Sequence, residues 1–182
     1  LNSDDFYRNE KIIADVVSAY EGSPSIDMVL GGVDFVREDN LGRVVRSYQS
    51  KGFKPWMLRF GFMPPHPGAF VRRQVYEKIG VYKLNYKIGA DFEFFVRSLL
   101  ANKLKYLPID SFFVRMRVGG VSTSGFESYK VITQEILLSF KENSLYTNMI
   151  FVLFRFPIKL FQLSLLEINN VNFKVVSDLR IM

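Results

Sequence analysis

A largely apolar run from Asp27 to Arg37 sets the tightest limit on how this chain can fold. Met28, Val29 and Leu30, followed past Gly31-Gly32 by Val33, Phe35 and Val36, read as a β-strand. Two glycines in mid-strand predict a bulge or the close approach of another backbone. Upstream, Ile12, Ile13, Val16, Val17 and Tyr20 recur at helical spacing, so Asn9 to Tyr20 is expected to be an amphipathic helix ended by Gly22 and Pro24.

Downstream, strand-like and helix-like segments continue. Ala69-Phe70-Val71 leads into a helix from Arg73 to Ile79 that Gly80 caps. A second helix is expected from Ala90 to Asn102, with Phe92, Phe95, Val96, Leu99 and Leu100 on its apolar face. Strand character returns from Lys105 to Met116, and a helix from Glu127 to Lys141 follows a Gly/Ser/Thr loop at Gly119–Gly125. Between Glu38 and Pro65 the pattern breaks down into a long, irregular, aromatic-rich stretch holding Phe53, Trp56, Phe60 and Phe62, a length more often functional than idle.

Composition narrows the chemistry. A chain of 182 residues with 48% hydrophobic content buries one core. With no cysteine there are no disulfides, zinc-thiolate sites or thiol nucleophiles. A single histidine, His66, excludes multi-histidine metal sites. The net charge of +6 favours an anionic partner. Lysines and arginines are dispersed without a nucleic-acid-binding motif, so no nucleic acid is expected. Met149 to Leu166 is the most hydrophobic stretch, but Arg155, Pro157 and Lys159 interrupt it, which disfavours a bilayer span. A helix lying in the membrane interface, with Arg155 and Lys159 toward anionic headgroups, and a core helix packed on the domain are the two readings.

The chain opens on Leu1-Asn2-Ser3-Asp4-Asp5, a pattern expected at the end of a buried strand that delivers carboxylates to a cleft. Adjacent carboxylates on short side chains suit Mg²⁺ or Mn²⁺. Three further segments follow in order: His66-Pro67-Gly68-Ala69-Phe70-Val71-Arg72-Arg73, Gly89-Ala90-Asp91-Phe92-Glu93-Phe94-Phe95-Val96-Arg97 and Arg115-Met116-Arg117-Val118-Gly119-Gly120-Val121-Ser122. Together, across roughly Leu1 to Leu166, they resemble the second half of a family 2 glycosyltransferase of the GT-A fold. The resemblance implies an α/β fold: part of a GT-A, Rossmann-like mixed sheet flanked by helices, with a C-terminal helical segment. It divides the chain into an acceptor-side part over residues 1–142 and an apolar helical extension and tail over 143–182. It also carries the expectation that the chain is a fragment lacking the N-terminal nucleotide-binding half.

The resemblance further implies transfer of a sugar, from a UDP-linked donor, to a lipid-linked saccharide or surface polysaccharide precursor, at the cytoplasmic face of the cell membrane. Asp5 would be the metal ligand and Asp4 its neighbour, while Asn2 stands where family members often have Asp and could accept from a donor hydroxyl. Asp91 matches the catalytic base, with Ala90 in place of a usual glutamate, and Glu93 is the competing candidate. A carboxylate at a helix start is held ionised by the dipole, so Asp91 needs burial or nearby acids to raise its pKa. His66 and Arg72 would lie on the acceptor side, with His66 pushed toward an extended conformation by Pro67. Arg115 and Arg117 could clamp the diphosphate, and Arg97 is expected to be an ion-pair partner within helix packing. Direct attack by the acceptor would invert the anomeric centre.

Two other classes compete. A metal-dependent phosphohydrolase could use Asp4 and Asp5, but further Asp or His ligands at close spacing are missing from the sequence. An inactive domain could instead serve only to associate with a membrane or a partner.

Overall fold

The computed structural model of this protein describes residues 4–117 and 125–157, excluding the side chains of residues 125 and 126. Five strands make one mixed sheet: β1 (Phe6–Tyr7), β2 (Met28–Arg37), β3 (Asn40–Tyr48), β4 (Ala69–Val71) and β5 (Tyr106–Arg117). The helices are α1 (Ile12–Gly22), α2 (Arg73–Ile79), α3 (Ala90–Phe95), α4 (Gly125–Glu142) and α5 (Met149–Leu153). The chain is therefore of the α/β class, an open mixed sheet flanked by helices.

β2 is the hub of the sheet. It runs parallel to β5 along most of its length, and β5 in turn pairs antiparallel with β1. Its other edge has two partners in succession: β4 pairs with Met28–Leu30 and β3 with Val33–Arg37. Between them lies Gly31-Gly32, where the register with β5 shifts. Both expectations from the glycine pair are met there. A Cβ on Gly31 would fall 2.1 Å from the Phe113 ring, and one on Gly68 would fall 2.5 Å from the Gly31 carbonyl oxygen. Three segments can approach this closely because two side chains are missing.

Alternation along β2 feeds two apolar layers. Met28 and Leu30 join Phe94, Phe95, Leu99, Ile136 and Phe140 in a cluster with α3 and α4. Val29 and Val33 join Ile12 and Val16 of α1 in the other. Burying a Phe or Leu completely contributes about 1.5–3 kcal/mol, so α3, with Phe94 and Phe95 buried, is anchored mainly by its apolar side chains. Its continuation widens into a π-helical turn over Val96–Ala101, where the Asn102 N–H bonds to the Arg97 carbonyl at 3.0 Å.

Two strands escaped the sequence, the two-residue β1 and the longer β3. β3 lies inside the stretch read as irregular, and all nine of its residues are exposed. With no buried face it carries no apolar alternation, and it is held by its ladder with β2, by Ser47 donating to Asp34 at 2.7 Å and by Arg46 over the Phe35 ring. The following aromatic segment forms a 3₁₀ helix at Pro55–Phe60.

Of the two readings of the apolar C-terminal stretch, the described part fits the core helix packed on the domain. Arg155 does not face outward: it is 4% exposed, its guanidinium donates to the Thr133 hydroxyl at 2.7 Å and lies over the Phe156 ring. Val152 belongs to the α3–α4 cluster, so up to residue 157 the chain past 143 shares the preceding core. The remainder of Met149–Leu166 lies outside the described residues. Among the described residues, no helix is long and apolar enough to cross a membrane.

Candidate active site

His66–Gly68 forms a 3₁₀ turn set against the β2 bulge, closed by Gly68 N–H to the Pro65 carbonyl at 3.0 Å. His66 therefore opens a turn instead of lying extended, since that hydrogen bond and the Gly68–Gly31 contact override the bias from Pro67. Its Nε2 lies 3.0 Å from the Tyr82 hydroxyl, and Tyr82 packs on Phe94 and Tyr76. Burial, together with the hydrogen bond to Tyr76, raises the Tyr82 pKa and keeps the phenol protonated.

Asp91 sits one residue into α3, facing this turn. Burial raises its carboxyl pKa above the ordinary range, opposed by His66 and by the Phe92 N–H, which bonds Oδ1 at 2.7 Å. Burial likewise lowers the His66 pKa, against the pull of the Asp91 and Asp5 carboxylates. His66 is thus within electrostatic reach of both Asp91 and Asp5, residues widely separated in sequence.

Asp4 and Asp5 lie just before β1; the strand expected to end on them falls on residues 1–3, outside the described residues. Phe6 pairs with Arg115, so the aspartates lie at the end of the sheet where Arg115 and Arg117 close β5. Among the described residues, the buried Nε atoms of both arginines lack a hydrogen-bond partner, although Arg115 Nη1 reaches the Leu41 carbonyl at 3.4 Å. Native proteins rarely leave such donors unused, and water or an anion is a usual partner for them. No group of three His, Cys, Asp or Glu side chains is gathered for a metal among the described residues. Asn2 and the Gly119–Ser124 loop lie outside the described residues.

Two expected site residues are engaged elsewhere. Arg72 lies at the far end of β4 from His66, donating to the Ile26 carbonyl at 2.8 Å and the Pro24 carbonyl at 3.3 Å with its guanidinium over Tyr20. The three-residue strand carries the chain from the bulge back to the start of β2, so Arg72 clamps the α1–β2 connection. Glu93, fully buried, is bound by Arg97 at 3.0 Å, Lys83 at 3.1 Å and Asn143 at 3.2 Å. Burial alone would raise its pKa, but these donors outweigh it and hold the carboxyl low. Glu93 thus ties α3 to Lys83 and to Asn143 just past α4. Arg97 is the ion-pair partner expected, and it also caps α2 by donating to the carbonyls of Ile79, Gly80 and Val81.

Sequence reasoning missed Tyr82 and Glu135. Tyr82 carries no local signal, being one of nine tyrosines. Glu135 did: it shares a face of α4 with Ile132, Ile136 and Ser139, an acid at a core-facing position. No family model matches this chain, and no curated protein matches it.

Proposed function

We propose that this chain is the acceptor-side part of a family 2, GT-A-type glycosyltransferase. It passes a sugar from a UDP-linked donor to a lipid-linked saccharide or surface polysaccharide precursor. The observation that carries this reading is Asp91: a half-buried carboxyl at the start of α3 whose pKa is raised by desolvation, with His66 between it and Asp5 in electrostatic reach of both. A base at a helix start needs that upward shift to work near neutral pH. Three of the motifs that supply the resemblance contribute these residues: Asp5, His66 and Asp91.

In this mechanism the acceptor hydroxyl gives its proton to Asp91 while its oxygen bonds to the anomeric carbon. The bond from that carbon to the diphosphate oxygen breaks, and its electron pair leaves with UDP. A single displacement of this kind inverts the configuration. Asp5 and Asp4 are hard oxygen donors that would hold Mg²⁺ or Mn²⁺, which when bound supplies charge neutralisation to the leaving diphosphate. Arg115 and Arg117, with their unmatched Nε donors, suit the same anion. His66 lines the acceptor side of the cleft, with Tyr82 fixing its ring.

Action at the cytoplasmic face of the cell membrane fits a lipid-linked acceptor. An apolar surface supports it: Phe60 stacks on Phe151 and meets Trp56 edge-on, while Trp56, Ile150 and Phe154 are more than half exposed. The same surface favours a second reading, a domain that docks to a membrane or partner without catalysis. Calorimetry with Mn²⁺ and UDP separates the two. Binding that Asp5→Ala abolishes supports the transferase, and binding that Asp5→Ala leaves unchanged rejects it.

A further inference from the structure

We propose that Glu135 is a positioning residue for Asp91, its carboxylate on α4 gathering the backbone N–H groups of Lys87, Ile88 and Gly89 and so fixing the turn that delivers Asp91. The inference deepens the reading of Asp91 as the base and rests on it for its catalytic meaning.

The three N–H groups reach Glu135 at 2.6, 3.1 and 2.7 Å, two on Oε2 and one on Oε1. Three charge-assisted bonds satisfy a carboxylate that is only 9% exposed, without any cation. The fit is tight: a Cβ on Gly89 would stand 3.1 Å from Oε2 and 3.3 Å from the Glu135 Cβ. Gly89 immediately precedes α3, whose second residue is Asp91, so the held turn and the carboxyl are two residues apart. Besides Glu135, the charged and titratable groups facing Asp91 are His66, Tyr82 and, beyond His66, Asp5. Glu135 acts on Asp91 in a second way, as a like charge that helps raise its pKa.

The molecule contains a matched control. Glu142 lies seven residues, two helical turns, farther along α4. It staples the same loop through Lys83 at 2.7 Å, Tyr86 at 3.0 Å and Asn85 at 3.5 Å. It touches none of the three N–H groups beside Asp91. A purely structural role for Glu135 would make the two glutamates interchangeable in their effect on Asp91.

The test uses the full chain labelled with ¹³C at aspartate, comparing wild type with Glu135→Gln, Glu135→Ala and Glu142→Gln. Glu135→Gln is expected to move the Asp91 carboxyl titration downward, since the amide keeps the shape but not the charge. Glu135→Ala is expected to speed amide hydrogen exchange at Lys87, Ile88 and Gly89 about tenfold or more, the scale of a lost bond to a charged group, with Gln restoring part of the protection. Glu142→Gln is expected to leave the Asp91 titration where it was. An unchanged Asp91 titration in Glu135→Gln, or an equal shift in Glu142→Gln, overturns the proposal. The result is independent of whether Asp91 is the base: should Asp91→Asn retain sugar transfer, the catalytic reading falls while the positioning result stands.

Discussion

His66 Nε2 and the Tyr82 hydroxyl lie 3.0 Å apart, with their rings perpendicular. This contact closes the bulge turn onto the aromatic stack of Tyr76, Tyr82 and Phe94 and holds the imidazole in a buried place. Its pKa is lowered by that burial. A group depressed in the folded state contributes stability that is complete above its unfolded pKa, about 6.5, and is lost as pH falls through the folded value. His66→Gln is therefore expected to flatten the loss of stability on acidification just below pH 6.5, read by urea denaturation at stepped pH. A His66 signal titrating above its ordinary value would contradict this.

Asp91 has the opposite sign. Its raised pKa means that the rate of transfer rises with pH through a value above the ordinary carboxylate range, because only the ionised base accepts the proton. Asp91→Asn is expected to cut transfer about a hundredfold or more while UDP affinity is retained. Single-turnover assays with radiolabelled donor across pH 4 to 8 check both statements, and wild-type transfer by the asparagine variant would remove Asp91 from the mechanism.

The Glu93–Arg97 pair governs stability. Arg97 is 8% exposed and saturated by Glu93 and three carbonyls, so Glu93→Ala leaves a buried cation short of its counter-ion. Breaking such a pair costs about 3–5 kcal/mol. Glu93 is held low, so its contribution is present above its unfolded pKa and disappears as pH falls through the folded one. Thermal melts at pH 7 and pH 3 should show the gap between wild type and variant narrowing in acid.

Packing at the bulge is equally testable. Gly68→Ala would push a methyl to 2.5 Å from a backbone oxygen, which neither partner can avoid by rotating a side chain. Overpacking of this sort costs about 1–3 kcal/mol. Gly22→Ala, at a position with nothing within 4 Å, is the control and is expected to be neutral or slightly stabilising. Equal denaturation midpoints for the two variants would disprove the close approach.

The apolar surface around α5 makes a prediction about membranes. Interfacial aromatics and aliphatics favour the headgroup boundary. Replacing Trp56, Ile150 and Phe154 together with serine is expected to reduce co-sedimentation with anionic vesicles several-fold and leave the melting temperature nearly unchanged. Undiminished pelleting assigns membrane contact to another part of the chain.

Most elements with a buried face were legible in the sequence. α2 starts and stops where Arg73, Ile79 and Gly80 predicted, and Gly80 has the positive φ of 87° that such a cap uses. β3 was illegible because exposure leaves a strand without alternation, and its pairing is recorded only in the partner strand. The site was partly legible for a related reason. A motif names a residue but not the direction of its side chain, so Arg72 and Glu93 were grouped with His66 and Asp91 although their donors and acceptors are spent on loops and helix ends. The Arg155 inversion belongs here too: spacing alone does not reveal that the Thr133 hydroxyl offers an inward acceptor.

The change of neighbour along β2 also bears on how chains of this design can vary in length. By parity Met28 and Leu30 face one layer and Val29 and Val33 the other, so deleting one residue between Leu30 and Val33 would turn every later side chain of β2 to the opposite face, carrying Val33 away from α1. The hairpin tip at Glu38-Asp39 has no such restriction, because it projects into solvent beyond the last paired residues. Insertions and deletions among natural or engineered variants will therefore accumulate at the tip and spare the glycine step.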